Sequence, residues 1–181
     1  MIKIKKNKFN ILVLGDTQVG KTSMIEVFRE NTFNPYESPT IGLETFMDVI
    51  NIEGNDYKFK IFDTSGREKF KNILIPKLRL ADGFILVFSV DNKETLKKID
   101  SWLHTIDETV KLKKLKILVG NKVDIGKRNI TNQEAVNFAK ERNLKYFETS
   151  AKTGFTIKEA FNQLINELYE YNKQYELINT N

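Results

Sequence analysis

One stretch constrains this chain more than any other: Gly15-Asp16-Thr17-Gln18-Val19-Gly20-Lys21-Thr22, which matches the phosphate-loop pattern G-x-x-x-x-G-K-[ST]. An apolar run precedes it at residues 9–14, and a helical pattern follows at residues 24–29. In this setting backbone N–H groups wrap phosphate oxygens, and the positive end of the helix faces the same anion. We predict that Lys21 reaches the β- and γ-phosphates and that the Thr22 hydroxyl ligates Mg²⁺. A plain glycine turn is the alternative, but it needs no lysine-threonine pair at this spacing.

Composition limits the chain to ordinary folded classes. Its 181 residues, 40% hydrophobic and 29% charged, suffice for one domain with a full core. The sequence has no cysteine for a disulfide, and no apolar run long enough for a signal peptide or a membrane span. The net charge is +5, but the densest lysine cluster, at residues 111–116, has no interleaved aromatic residues. We therefore expect no nucleic-acid partner.

Apolar runs alternate with helical patterns along the chain. Strands are predicted at residues 9–14, 45–52, 57–62, 83–90, 116–119 and 145–147, the second and third forming a hairpin. Helices are predicted from the phosphate loop to about Arg29, at residues 68–80 with an interruption at Pro76, and at residues 93–110. Capping boxes at residues 131–134 and 156–159 predict the starts of two more helices. This order indicates an α/β fold with a mostly parallel sheet, whose ligand site lies at the carboxyl ends of the strands.

The segment Asn121-Lys122-Val123-Asp124 follows one of these buried strands. A carboxylate accepts two hydrogen bonds from an N–H/NH₂ edge, which guanine has and adenine lacks. Asp124 is therefore the predicted guanine-binding residue, and the wrong base would leave its carboxylate without partners. The aliphatic part of Lys122 would cover the base, and Asn121 would join this loop to the phosphate loop.

Taken together, these motifs resemble those of a small GTPase of the Ras superfamily. The matching elements, in order, are Gly15 to Thr22, Thr40, Asp63-Thr64-Ser65-Gly66, Asn121 to Asp124, and Thr149-Ser150-Ala151-Lys152. Asp16 and the segment Pro39-Thr40-Ile41-Gly42 are similar to the Rab form. The resemblance implies a P-loop NTPase G domain: a six-stranded, mostly parallel sheet with one antiparallel edge strand and about five helices. It also implies GTP or GDP and Mg²⁺ as cofactors, and a switch that changes its effector surface on loss of the γ-phosphate.

The resemblance assigns roles residue by residue. Thr22 and Thr40 would bind Mg²⁺ directly and Asp63 would bind it through water, while Lys21, Thr40 and the Gly66 N–H would contact the γ-phosphate. Phe33 would pack against the base, the Ala151 N–H would bind the guanine carbonyl, and Lys152 would support the base. The full predicted nucleotide site is Gly15, Asp16, Thr17, Gln18, Val19, Gly20, Lys21, Thr22, Ser23, Phe33, Thr40, Gly66, Asn121, Lys122, Asp124, Ser150, Ala151 and Lys152.

Arg67 departs from the family pattern. Small GTPases usually have a glutamine there, which orients the attacking water, whereas arginine has only hydrogen-bond donors. Arg67 would then weaken hydrolysis, offset phosphate charge as an arginine finger does, or point into solvent. We favour slow intrinsic hydrolysis; the alternative is a hydrolysis-deficient, GTP-bound scaffold that recruits effectors. Gln18, where Rab proteins usually have glycine, would crowd the transition state, reach toward the water, or point into solvent.

The predicted effector surface also differs from the Rab pattern. Rab proteins usually expose an aromatic triad, of which Phe46 matches one member, while Phe62 and Leu78 stand at the other two positions. We expect effectors to bind through residues 41–46, from Ile41 onward, and the region of Phe62 and Leu78. Glu37 stands where a tyrosine commonly covers the nucleotide.

The chain divides into a basic N-terminal extension at residues 1–8, a small-GTPase domain at residues 9–171 and the start of a C-terminal tail at residues 172–181. Without a cysteine, the chain lacks the prenylation site by which Rab proteins bind membranes, and we expect a shortened form. We expect a monomer that meets an exchange factor and a GTPase-activating protein. Its expected location is the cytoplasm, or the cytoplasmic face of intracellular membranes if the full-length protein has a prenylated tail.

Overall fold

The computed structural model describes residues 7–66, 71–112 and 114–178, with side chains given except at 71, 72 and 175–178. The strands are β1 (Lys8–Gly15), β2 (Leu43–Ile52), β3 (Asn55–Thr64), β4 (Gly83–Ser89), β5 (Leu115–Asn121) and β6 (Lys145–Glu148). The helices are α1 (Lys21–Glu30), α2 (Lys71–Leu80), α3 (Lys93–Thr109), α4 (Asn132–Glu141) and α5 (Ile157–Ile178). The predicted extension lies outside the described residues except for Asn7 and Lys8, and α5 continues well past Tyr171.

The six strands form one sheet in the order β2-β3-β1-β4-β5-β6. All neighbours pair in parallel except β2 and β3, the antiparallel hairpin at the edge. This sheet and its five helices confirm the predicted fold class. Because β1 and β4 lie side by side and crossovers leave them in opposite directions along the sheet, the end of β1 is the topological switch point, where α/β folds bind ligands.

Two apolar cores cover the two faces of the sheet. Ile11 and Val13 of β1 pack into the core beneath α1 and α5, while Leu12 and Leu14 point to the opposite core beneath α2, α3 and α4. Successive strand residues face opposite sides of a sheet, so a strand covered on both sides is apolar without alternation. This burial explains why the run before the phosphate loop is continuously apolar.

Three local predictions meet different outcomes. The capping box at the start of α4 is confirmed, because Thr131 and Glu134 each bind the backbone of the other. The helix start predicted at residues 156–159 is also confirmed, since α5 begins at Ile157, although Thr156 has a left-handed φ of 49° and its hydroxyl donates to the Glu148 carbonyl oxygen of β6. The predicted interruption at Pro76 is wrong, because α2 runs through this proline with Leu74 and Leu78, one turn apart, buried in the core.

Candidate functional site

A cleft of about 420 Å³ opens at the carboxyl edge of the sheet. Loops after β1, β3, β5 and β6 surround it, together with the segment between α1 and β2. The predicted site residues that line it are Thr17, Gln18, Gly20, Lys21, Thr22, Ser23, Phe33, Thr40, Asn121, Lys122, Asp124, Ala151 and Lys152. Its volume falls within the range of small-molecule sites, which is about 300–1,000 Å³.

The remaining predicted residues lie beneath or beside this lining. Val19, Asp63 and Ser150 are fully buried, and Gly15 and Asp16 form the start of the phosphate loop. Arg67, the residue on which the expected hydrolysis rate depends, lies outside the described residues. The cleft lining also includes residues outside the predicted nucleotide site: Asn34, Pro35, Glu37, Ser38, Pro39, Thr64, Ser65 and Ile125.

The phosphate loop has a backbone that ordinary side chains would obstruct. Gly20, the residue before α1, has φ 92°, and a Cβ atom there would lie 2.4 Å from the Asn121 amide nitrogen. Gln18 adopts a left-handed φ of 62° although it carries a side chain, which is costly outside glycine and asparagine. Its side chain is exposed at the rim of the cleft, so the three predicted alternatives for Gln18 stay open.

Lys21 supplies a cation from the first turn of α1. The residue is 5% exposed, and its Nζ donates to the Asp16 carbonyl oxygen at 2.7 Å. Burial lowers the pKa of Lys21 to about 8, although the charges of Asp63 and Asp16 oppose this shift. A buried ammonium with one backbone partner is prepared to bind an anion, because its other two N–H bonds have room for phosphate oxygens.

Three oxygen-bearing side chains meet beside Lys21. The Asp63 Oδ2 accepts hydrogen bonds from the hydroxyls of Thr22 at 2.5 Å and Thr40 at 3.0 Å, and these hydroxyls lie 2.7 Å apart. The Asp63 Oδ1 is buried without a hydrogen-bond partner, and burial raises the pKa of this carboxyl group.

This cluster fits a magnesium ion. Mg²⁺ prefers oxygen ligands and usually keeps several waters and substrate phosphates alongside one or two carboxylates. A buried carboxylate oxygen with no partner is what such a hydrated cation would satisfy. Within the described ranges there is no group of three or more His, Cys, Asp or Glu side chains that could hold a metal ion.

A second network holds the loops after β5 and β6 together. The Asn121 amide donates to the Val19 carbonyl oxygen at 2.9 Å and accepts from the Ala151 N–H at 3.1 Å, so it joins three loops. The Ser150 hydroxyl donates to the Asp124 carboxylate at 2.6 Å. One Asp124 oxygen is thereby fixed in place in the lining of the cleft.

The end of β3 rests directly on the phosphate loop. Gly66 has φ 69°, and a Cβ atom there would lie 2.6–2.7 Å from backbone atoms of Gly15, Asp16 and Thr17. The Thr64 hydroxyl donates to the Val13 carbonyl oxygen at 2.9 Å, which fixes the strand just before this contact. Any displacement at Gly66 would therefore be transmitted to the loop that surrounds the phosphates.

The expected effector surface needs a correction. Phe62 and Leu78 are buried in the core beneath α2 and α3, at 3% and 0% exposure, so neither presents its side chain to a partner. Phe46 is half-buried, with the Arg29 guanidinium 4.9 Å from the centre of its ring. Among the described residues, the large apolar side chains exposed around the hairpin and α2 are instead Ile41, Met47, Val49, Ile73 and Leu80.

An ion pair that the sequence did not indicate reaches the phosphate loop from α3. The Lys98 Nζ donates to the Asp16 carboxylate at 2.7 Å across 82 residues of sequence. No local pattern marks such a contact, because it depends on how α3 packs beside β1.

Comparisons with known proteins agree with this geometry. The model of the Ras family matches residues 10–170. "Ras-related protein Rab-18" of Lymnaea stagnalis is 35% identical over 161 residues, which cover 88% of this chain and 80% of that protein. "Ras-related protein Rab-13" of Canis lupus familiaris is 34% identical over 169 residues, which cover 93% of this chain and 83% of that protein.

The chain belongs to the Ras family of small GTPases and is Rab-like. It is thus an enzyme that binds GTP and GDP and hydrolyses GTP to GDP and phosphate. No helix in the described part of the chain is long and apolar enough to cross a membrane.

Proposed function

We propose that this protein is a Rab-type guanine-nucleotide switch in vesicle and membrane trafficking, with slow intrinsic hydrolysis. The observation that carries the proposal is the convergence of three groups on one cleft: the buried Lys21 ammonium, the Thr22–Thr40–Asp63 cluster, and Asp124 held by Ser150. Such a cleft offers a cation for phosphates, oxygens for a hydrated metal, and a carboxylate for the base.

The nucleotide would lie along the cleft with its phosphates at the N-terminus of α1. Lys21 and the N–H groups of the phosphate loop would bind the phosphate oxygens. Asp124 would accept hydrogen bonds from the N–H and NH₂ groups of guanine. The Ala151 N–H, which donates to the Asn121 amide oxygen in this structure, would donate to the guanine carbonyl oxygen when the nucleotide binds. Phe33 and the aliphatic part of Lys122, both lining the cleft, would cover the ring.

Thr22 and Thr40 would hold Mg²⁺ through their hydroxyls, and Asp63 would hold one of its waters. When bound, Mg²⁺ neutralises charge on the β- and γ-phosphates. Thr40 lies in the segment between α1 and β2, so its bond to this site would be made in the GTP state and released in the GDP state. Release of Thr40 would change residues 41–46, the surface through which we expect effectors to bind.

The expectation of slow hydrolysis rests on Arg67 and comes from the sequence alone. A glutamine orients the attacking water by accepting from it and donating to it, whereas a guanidinium only donates. Turnover in the cell would then depend on a GTPase-activating protein that supplies the missing group. The proposed place of action is the cytoplasmic face of intracellular membranes, with an exchange factor to reload GTP.

The test is single-turnover hydrolysis of GTP by the Mg²⁺-loaded protein without an activator, in the wild type and in Arg67→Gln. The slow-hydrolysis proposal predicts a wild-type rate well below the intrinsic Ras rate of roughly 10⁻⁴ s⁻¹, and a substantial increase in Arg67→Gln. Arg67→Lys is the matched control, because it keeps the charge without gaining an acceptor, and it should stay slow. A wild-type rate at or above that of Ras would overturn the proposal, whereas no detectable GDP in any variant would favour the GTP-bound scaffold.

A further inference from the structure

Asp16 lies where the phosphate loop, the start of α1 and the residues after β3 meet. Its side chain is 17% exposed, and its Oδ1 accepts from the Thr17 N–H of the phosphate loop at 2.8 Å. Its backbone carbonyl accepts from Lys21, and its carbonyl carbon lies where a Cβ on Gly66 would clash. A negative charge is therefore fixed within the loop that must bind an anionic ligand.

The Lys98 side chain neutralises this charge from outside the loop. Its Nζ lies 2.7 Å from the Asp16 Oδ2, and its side chain is 56% exposed. The Asp16 carboxylate in this pair is mostly buried. Lys98 belongs to α3, a helix that contributes no residue to the cleft lining. Since the carboxylate is fixed by its own backbone bond, losing Lys98 would leave the charge in place rather than let it turn away.

We infer that Lys98 is a positioning residue of the nucleotide site, which offsets the Asp16 charge and so favours GTP over GDP. The inference rests on the proposed function. Its physical reason is that repulsion by an unneutralised Asp16 grows with the charge of the ligand, and GTP carries more negative charge than GDP.

The test compares the dissociation rates of fluorescent GDP and of a fluorescent, non-hydrolysable GTP analogue in Mg²⁺. Lys98→Met keeps the length of the side chain and removes the charge, so the GTP analogue should leave about threefold to fivefold faster, and GDP less so. Lys98→Arg should restore the wild-type ratio of the two rates. Lys97→Met is the matched control, because Lys97 makes an equally short pair with Glu94 on the exposed side of the same helix. It should change neither rate.

A double-mutant cycle identifies the partner. In an Asp16→Asn background the carboxylate charge is absent, so Lys98→Met should have no further effect on the ratio. Equal acceleration of both nucleotides, or an effect of the same size in the Asp16→Asn background, would overturn the inference and indicate only a structural role. No change in Lys98→Met would overturn it as well. These failures differ from that of the proposed function, which a wild-type hydrolysis rate at or above that of Ras would overturn.

Discussion

In the proposed site, Asp124 would determine the base specificity through one carboxylate. Asp124→Asn replaces a carboxylate, which only accepts hydrogen bonds, by an amide with one acceptor oxygen and one NH₂ donor group. Xanthine has a carbonyl oxygen where guanine has its NH₂ group, so Asp124→Asn should lose about a hundredfold or more in GDP affinity and gain affinity for xanthosine diphosphate. The measurement is competition of both nucleotides against a fluorescent GDP. Asp124→Ala is the control and should lose GDP without gaining the xanthine nucleotide; a gain in both variants would contradict the assignment.

Asp63 differs from Asp124, because one oxygen of its carboxylate, Oδ1, is buried without a hydrogen-bond partner and could hold a water of a metal ion. Asp63→Asn keeps the size of the side chain but removes the charge that would hold a water of Mg²⁺. Loss of such an outer-sphere partner typically lowers metal affinity about 10–100-fold. We expect Mg²⁺ to slow GDP release strongly in the wild type and much less in this variant, as measured with and without a chelator.

The folded protein without nucleotide should tolerate Asp63→Asn. Burial raises the pKa of Asp63, which means that the folded environment disfavours its charged form. Removing the charge should therefore leave the free energy of unfolding, measured in urea at neutral pH, unchanged or slightly increased. A large loss of stability instead would show that the carboxylate is structural.

At the scale of elements, α4 depends on its N-terminal cap. Thr131→Ala removes the hydroxyl that accepts from the Glu134 N–H and should cost about 1 kcal/mol in the free energy of unfolding. Thr105→Ala is the control, because the Thr105 hydroxyl only bonds back to the Ser101 carbonyl within α3, and alanine is the better helix former. Urea denaturation of both variants measures the difference; equal effects would mean that the cap contributes nothing specific.

The two predicted capping boxes show what a local pattern determines and what it does not. The pattern at residues 131–134 is satisfied within its own four residues, so the sequence alone predicted it correctly. The pattern at Thr156 also preceded a helix, but the Thr156 hydroxyl donates to the Glu148 carbonyl oxygen of β6, a contact that the local pattern does not predict. The same limit applied to Phe62 of β3 and Leu78 of α2, because both are buried where α2 packs on the sheet and their local sequence does not reveal this packing.

For the whole molecule, the continuous apolar runs and the motif spacing predicted the sheet and the four loops of the cleft. Those features depend on chain order and on burial of whole strands, which the sequence encodes directly. The Lys98–Asp16 pair and the orphaned Asp63 oxygen were not predicted, since both arise from packing between segments distant along the chain. The sequence thus predicted which loops surround the cleft, and it did not predict the contacts between distant segments that set the charges there.

Nucleotide and metal should hold the whole fold together, because they would bridge loops that follow four different strands. A ligand at a thousandfold excess over its dissociation constant stabilises a protein by about 4 kcal/mol. For a chain of this size, that corresponds to a fall in Tm of roughly 8–16 °C when Mg²⁺ and nucleotide are removed. Thermal unfolding followed by circular dichroism, before and after chelation and exhaustive dialysis, measures the change.

Adding back single nucleotides then separates a specific bridge from a general anion effect. GDP with Mg²⁺ should restore the full Tm, because Asp124 and Lys21 bind opposite ends of the same molecule. ATP at the same concentration should restore little, since adenine cannot donate two hydrogen bonds to the Asp124 carboxylate. Equal recovery with ATP would mean that the phosphate loop alone stabilises the fold and that the loops after β5 and β6 do not take part in holding the ligand.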